Sequence, residues 1–236
     1  MKTNPLHFLR FALFLAFYAS LSSVAAETEV QRETKAIESQ WADIFYKLPE
    51  DQQAGKLELF IPRLEALQKK DPKAAEPLIM EALVYCSLAA TDLGFSALGR
   101  VAKARDLLLQ SVPLNPRAMD ASAYVTLGNL YHRVPPWPIS YGDDEIAKHY
   151  LEMALMLYPD SVDTNYFYGD FLLDDGEYEQ ALPYLEKAEK APVRDYAYLS
   201  DLQLKKELVK ALKDAREQND ERSNFFTRFI YNSDSP

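Results

Sequence analysis

Two stretches of this chain repeat each other at a spacing of 34 residues: Ala147, Leu151, Ala154 and Pro159 recur as Ala181, Leu185, Ala188 and Val193. The first two steps, of four and three residues, place side chains on one face of a helix. The same steps run through Ala104, Leu108, Ser111 and Pro116, and again through Phe60, Leu64, Leu67 and Pro72. Self-similarity at such a period means that each unit is too small to bury its apolar face alone. It must stack on its neighbours, which restricts the chain to a helical array.

The helices preceding these segments agree with that phase. Tyr124–Tyr131 matches Asn165–Leu172, with Gly128 and Gly169 at one repeat position. Small residues there let paired helices approach closely enough to share a core. The chain has only 7 glycines and is rich in Ala, Leu, Glu and Lys, which favours helix over sheet. Apolar spacing and the proline breaks predict helices over 30–47, 55–70, 74–90, 100–112, 120–133, 144–157, 161–174, 178–190 and 199–218. The fold class is therefore an all-α helical solenoid of about four helix pairs plus a C-terminal capping helix.

Residues 27–72 read as a divergent N-terminal helix pair and 73–222 as the array proper. Residues 223–236 read as a C-terminal tail, apolar over 223–231, which either folds back on the last repeat or is an exposed contact segment. Loops are inserted at 91–99 and 134–144. The second leaves seven residues more between Gly128 and Ala147 than between Gly169 and Ala181, and it carries Pro135, Pro136 and Pro138, which cannot continue a helix. Asp143 or Asp144 then caps the next helix.

The run Tyr166–Ala188 resembles the tetratricopeptide repeat (TPR) family, whose Gly, Ala, large-apolar and Ala positions fall on Gly169, Ala181, Leu185 and Ala188. Asn165 stands at that family's Trp position, and its terminal Pro comes one place early as Pro192. The blocks Ala97–Arg105, Ala123–Tyr131, Pro135–Asp144 and Asp163–Leu172 look like a group of uncharacterised exported bacterial TPR proteins. More distantly they resemble the periplasmic TPR component associated with TRAP-type solute transporters. That component often carries a lipid-accepting cysteine, which is not found here after the cleavage region. The family's carboxylate clamp is not matched either: Val125 stands where its first Lys would be and Phe167 where its second Asn would be.

Residues 1–26 read as a signal peptide: Lys2 and Arg10, an apolar stretch from Phe11 to Ala19, then small residues ending Val24, Ala25 and Ala26. The apolar run is shorter than the roughly 20 residues of a spanning helix. The expectation is an exported chain, soluble after cleavage, and periplasmic if the source is Gram-negative. The formal net charge is −10, and loss of Lys2 and Arg10 makes it more negative by two. Such a surface repels phosphate backbones and anionic lipid, which argues against nucleic-acid and membrane-surface roles. Cys86, the single cysteine, reads as a small core residue beside Ala82, Leu83, Tyr85 and Leu88.

Nothing in the chain resembles a phosphate loop, a nucleophile elbow or a His-Glu-x-x-His metal motif, so no catalytic residue and no cofactor are expected. His132 and His149 end one helix and begin the next, but a metal would need a further ligand. Asp143, Asp144, Asp174 and Asp175 stand at helix ends, where capping accounts for them.

By repeat phase, the concave face of the array should be lined by Val125, Asn129, His132, Tyr166, Asp170 and Leu173, an aromatic, amide and acidic surface suited to a peptide or partner helix. Trp137, Ile139 and Tyr141 have two readings: a rigid recognition loop, or a plug for the gap that an insertion opens. The function expected is a protein–protein interaction scaffold in the bacterial envelope. The alternative is a ligand-binding or accessory component of a TRAP-type transporter, with the groove enclosing a small hydrophobic solute.

Overall fold

A computed structural model describes residues 27–91 and 95–218. The signal segment, residues 92–94 and the tail at 223–236 lie outside the described residues; the loop expected at 91–99 is helical from Phe95 onward, because the helix expected to begin at 100 begins five residues earlier. Helix α1 (Glu29–Lys47) opens on a capping box in which Thr28 and Gln31 satisfy each other's backbone amides. The helix expected over 55–70 is split into α2 (Ala54–Leu57) and α3 (Phe60–Lys70). Pro62 is the cause: in a continuous helix its ring would meet the Glu58 carbonyl, and it has no N–H to donate there.

Helices α4 (Glu76–Ala90) and α5 (Phe95–Ser111) follow, then α6 (Ser122–Arg133) and α7 (Asp144–Leu157), α8 (Val162–Asp174) and α9 (Tyr178–Lys190), and last α10 (Tyr198–Glu217). The Asp143 side chain caps α7 by accepting from the Ile146 amide at 3.0 Å. Helix α6 begins two residues later than its apolar pattern suggests. Met119, Asp120 and Ala121 before it occupy the left-handed region at φ 48°, 56° and 62°.

Successive helices pack as antiparallel pairs, α4 on α5, α6 on α7 and α8 on α9, and each pair packs on the next. This is an all-α solenoid of stacked helix pairs. The twelve residues that set the repeat phase, from Phe60, Leu64 and Leu67 to Ala181, Leu185 and Ala188, are all buried. Each leucine among them contributes roughly 2 kcal/mol by leaving water.

The equivalence of the units extends to atomic detail. A Cβ on Gly128 would lie 2.5 Å from Leu151 Cγ, and one on Gly169 would lie 2.6 Å from Leu185 Cδ2. Both glycines exist to admit the leucine of their partner helix. Gly169→Ala is expected to destabilise by about 1–3 kcal/mol through overpacking. A urea midpoint equal to that of the parent would contradict this.

The capping helix does more than end the array. Helix α10 packs on α8 and α9 and also returns to α1. The Ser200 hydroxyl donates to Glu38 Oε1 at 2.6 Å, the Ser39 hydroxyl donates to the Tyr196 carbonyl at 3.1 Å, and Lys35 Nζ sits 4.9 Å from the Tyr196 ring centre. The helices α1, α4, α6, α8 and α10 therefore form a closed inner circle, each touching the next, with α3, α5, α7 and α9 outside.

Candidate functional site

The inner circle borders a half-open cavity of about 390 Å³ lined by residues from all five of its helices. That volume lies in the range of small-ligand sites. Its walls are mainly apolar: Trp41 from α1, Leu83 and Cys86 from α4, Val125 and Leu130 from α6, Phe167 from α8 and Leu204 from α10. Cys86 borders this space, which is why it is half-buried, and burial pushes its thiol pKa up to about 12. The thiol is thus an inert wall group at neutral pH.

One side of the cavity is polar. Glu38 is 4% exposed, and while its Oε1 accepts from Ser200, its Oε2 is buried with no hydrogen-bond partner. Burial raises the Glu38 pKa to about 7 against the opposing influence of Ser200 and Arg194. Beside it lies the ion cluster that ties the circle. Arg194, in the α9–α10 connection, meets Asp201 of α10 at 2.6 Å and Asp163 of α8 at 2.9 Å, with Asp120 at 3.6 Å. Its backbone amide also donates to Asp201 at 2.7 Å. Burial works against the Arg194 charge, but Asp163 and Asp201 more than offset it and hold the pKa above the ordinary arginine range. The Tyr196 hydroxyl donates to Asp120 at 3.0 Å. Asp120 belongs to the left-handed turn, so this contact and the Ser122 hydroxyl on the Met119 carbonyl hold a strained backbone in place.

The inserted loop after α6 is pinned at its base. The Tyr141 hydroxyl donates to the Val101 carbonyl at 3.0 Å, its ring lies 4.3 Å from the Arg105 guanidinium and edge-on to Tyr131, and the Gly142 amide donates to the Pro135 carbonyl at 3.0 Å. A Cβ on Gly142 would sit 1.9 Å from the Val134 carbonyl oxygen, so only glycine lets the loop close there. At the tip the side chains turn outward: Trp137 is 85% exposed and Ile139 is 58% exposed. The loop thus divides the two sequence readings between its residues. Tyr141 packs, while Trp137 and Ile139 are displayed.

The six residues assigned to the concave face by repeat phase do not share one surface. Val125 and Asn129 line the cavity. Tyr166 and Leu173 are packed into the core of the last two pairs, Leu173 at 1% exposure. His132 and Asp170 belong to an ion cluster where α6 and α8 end. His132 Nδ1 is 2.7 Å from Asp144 and Nε2 is 2.9 Å from Asp174, while Arg133 pairs with Asp170 and with Asp174 at 2.8 Å. Burial lowers the His132 pKa, but these two carboxylates outweigh it and the net shift is upward. His149 is exposed, against the Tyr150 ring. Tyr166 and Leu173 are buried because α8 is wrapped by α6, α7, α9 and α10, so nearly its whole circumference is covered.

Glu38, Arg194 and Asp201 were not singled out by sequence reasoning. They lie on elements far apart in the chain, and no local pattern marks them.

No family model matches the chain, and no curated protein matches it. A solved structure entitled "Crystal structure of MamA protein" is similar over 79% of this chain and 92% of that one, at 22% identity and a TM-score of 0.38.

Proposed function

We propose that this chain is an exported scaffold of the bacterial envelope that engages a protein partner through the loop after α6. The observation that carries this reading is the display of Trp137 and Ile139 on a loop fixed at its base by Tyr141 and Gly142. A large aromatic held rigidly in water loses little further freedom when a partner covers it, and tryptophan is favoured among binding hot spots. The signal-like first 26 residues and the resemblance to exported TPR proteins support the location. The double variant Trp137→Ala, Ile139→Ala should leave stability within about 0.5 kcal/mol of the parent. It should weaken recovery of the envelope partner by at least about thirtyfold. Equal recovery by parent and variant would overturn the assignment of the loop.

A second reading is favoured by a separate observation, the cavity inside the circle of helices. In it the chain is a periplasmic ligand-binding or accessory component of a solute transporter, and the half-open cavity holds a small solute with an apolar body. The two readings occupy different surfaces, so the loop variant tests only the first.

A further inference from the structure

We infer that the cavity between α1, α4, α6, α8 and α10 is a site for a small organic amine, its apolar body against Trp41, Val125, Phe167 and Leu204 and its ammonium group at the Glu38 carboxyl. This deepens the second reading by naming a ligand class.

Three features converge on it. The walls supply contact area for an apolar body of modest size, which gives affinity without specificity. The polar side supplies a buried carboxyl oxygen, Glu38 Oε2, with no donor to meet it. An orphaned buried acceptor is costly, and an incoming N–H would recover that cost. The charge balance around that oxygen sets the sign of the ligand. The charged groups that line the cavity are Glu38, Asp163, Arg133 and Arg194. Arg194 is paired with Asp163 and Asp201, and Arg133 with Asp170 and Asp174, which leaves the Glu38 carboxyl to be met by the solute. A carboxylate-bearing solute would set a second acid against it, and a neutral solute would leave its charge uncompensated. An ammonium group completes the set with a charge-assisted hydrogen bond. The rise of the Glu38 pKa to about 7 by burial is what a carboxyl without its counter-ion shows. The surroundings of Glu38 are otherwise fixed. On α10, Ser200 and Asp201 face it; in the α9–α10 connection, Arg194 does; on its own helix Tyr46 lies near, with Ser200 between them.

The test is calorimetric titration of the purified full chain at pH 8 with three probes that share a body and differ in charge: 2-phenylethylamine, 2-phenylethanol and 3-phenylpropionate. The amine is expected to bind at least about tenfold more tightly than the alcohol, and the carboxylate more weakly than either. Trp41 lines the cavity, so its fluorescence should respond to the amine in a Trp137→Phe background. Glu38→Gln keeps the shape and the Ser200 contact and should reduce amine affinity by about tenfold or more while leaving the alcohol unchanged. Its far-ultraviolet dichroism and unfolding transition confirm that the variant folds. Equal affinity for amine and alcohol, with no effect of Glu38→Gln, would make the cavity a site for neutral apolar solutes and overturn the amine class alone. Preference for the carboxylate would overturn it too. If none of the three probes binds, both the amine class and the solute reading fall.

Discussion

Replacement of Arg194 by methionine is expected to destabilise the fold by about 3–5 kcal/mol, the cost of leaving buried carboxylates without their cation. The geometry explains why the effect should be that large. Arg194 reaches Asp201, Asp163 and Asp120 from the connection between α9 and α10, and Asp201 is fully buried at 0% exposure. Surface ion pairs elsewhere on the molecule, such as Lys47 with Asp43, have both partners mostly in water and contribute a fraction of this. Denaturant unfolding of Arg194→Met measures the loss. Adding Asp201→Asn to it should recover part, because one of the stranded charges is then gone, and the double-mutant cycle isolates that coupling. A single-variant loss below about 1 kcal/mol would show that the cluster does not tie the circle together. The strained turn at Met119, Asp120 and Ala121 depends on the same residue through Asp120, so the variant should also loosen the start of α6, read as faster amide exchange there.

Glu38→Gln should act in the opposite direction, increasingly so as the pH rises from about 4.5 to about 7 and at a constant level above that. The Glu38 pKa stands near 7 in the folded chain against an unperturbed 4.5. A carboxyl raised on folding holds its proton more tightly in the native state. Its contribution is fully present below about pH 4.5 and is lost as pH rises through about 7. At pH 8 the folded chain carries a buried, partly unpartnered charge that the unfolded chain carries freely in water. The shift corresponds to roughly 3 kcal/mol. Glu38→Gln removes that charge, so at pH 8 it should be more stable than the parent by up to about this amount. Near pH 4 the two should converge. Thermal unfolding at pH 4, 6 and 8 checks the pattern, and a stability difference that does not grow with pH would refute the placement of this carboxyl. Saturating amine at pH 8 should narrow the gap, since an ammonium supplies the missing partner.

The repeat was legible in the sequence because its signal is local. Phe60, Leu64 and Leu67, Ala104, Leu108 and Ser111, and their later equivalents each recur at helical spacing, and every one of them is buried. The matching of Gly128 to Leu151 and of Gly169 to Leu185 was equally local once the pairs were aligned. The inner helices were harder to read. An amphipathic pattern reports a face only when one face meets water, and α8 buries residues around almost all of its surface, so periodicity could not separate Tyr166 and Leu173 from the lining of the cavity. The loop after α6 was undecided because Trp137, Ile139 and Tyr141 are alike in composition. Only the position of Val101, far away on α5, determines that Tyr141 packs while its neighbours do not. The closing contact of Ser200 with Glu38 joins residues 162 positions apart, and no period or cap motif announces such a pairing.

That contact changes how the molecule can come apart and how it can evolve. An open row of repeats frays from its ends, and its stability grows with each unit added. Here α10 is fastened to α1, so among the described residues neither end of the array is free to peel away while the seam holds. Unfolding should accordingly run as one cooperative event rather than unit by unit, and folding must meet the entropy of bringing distant segments together before the seam can form. An extra helix pair inserted into the array would carry Ser200 and Arg194 past Glu38, so lengthening by duplication would cost this chain the contacts that fasten α10 to α1.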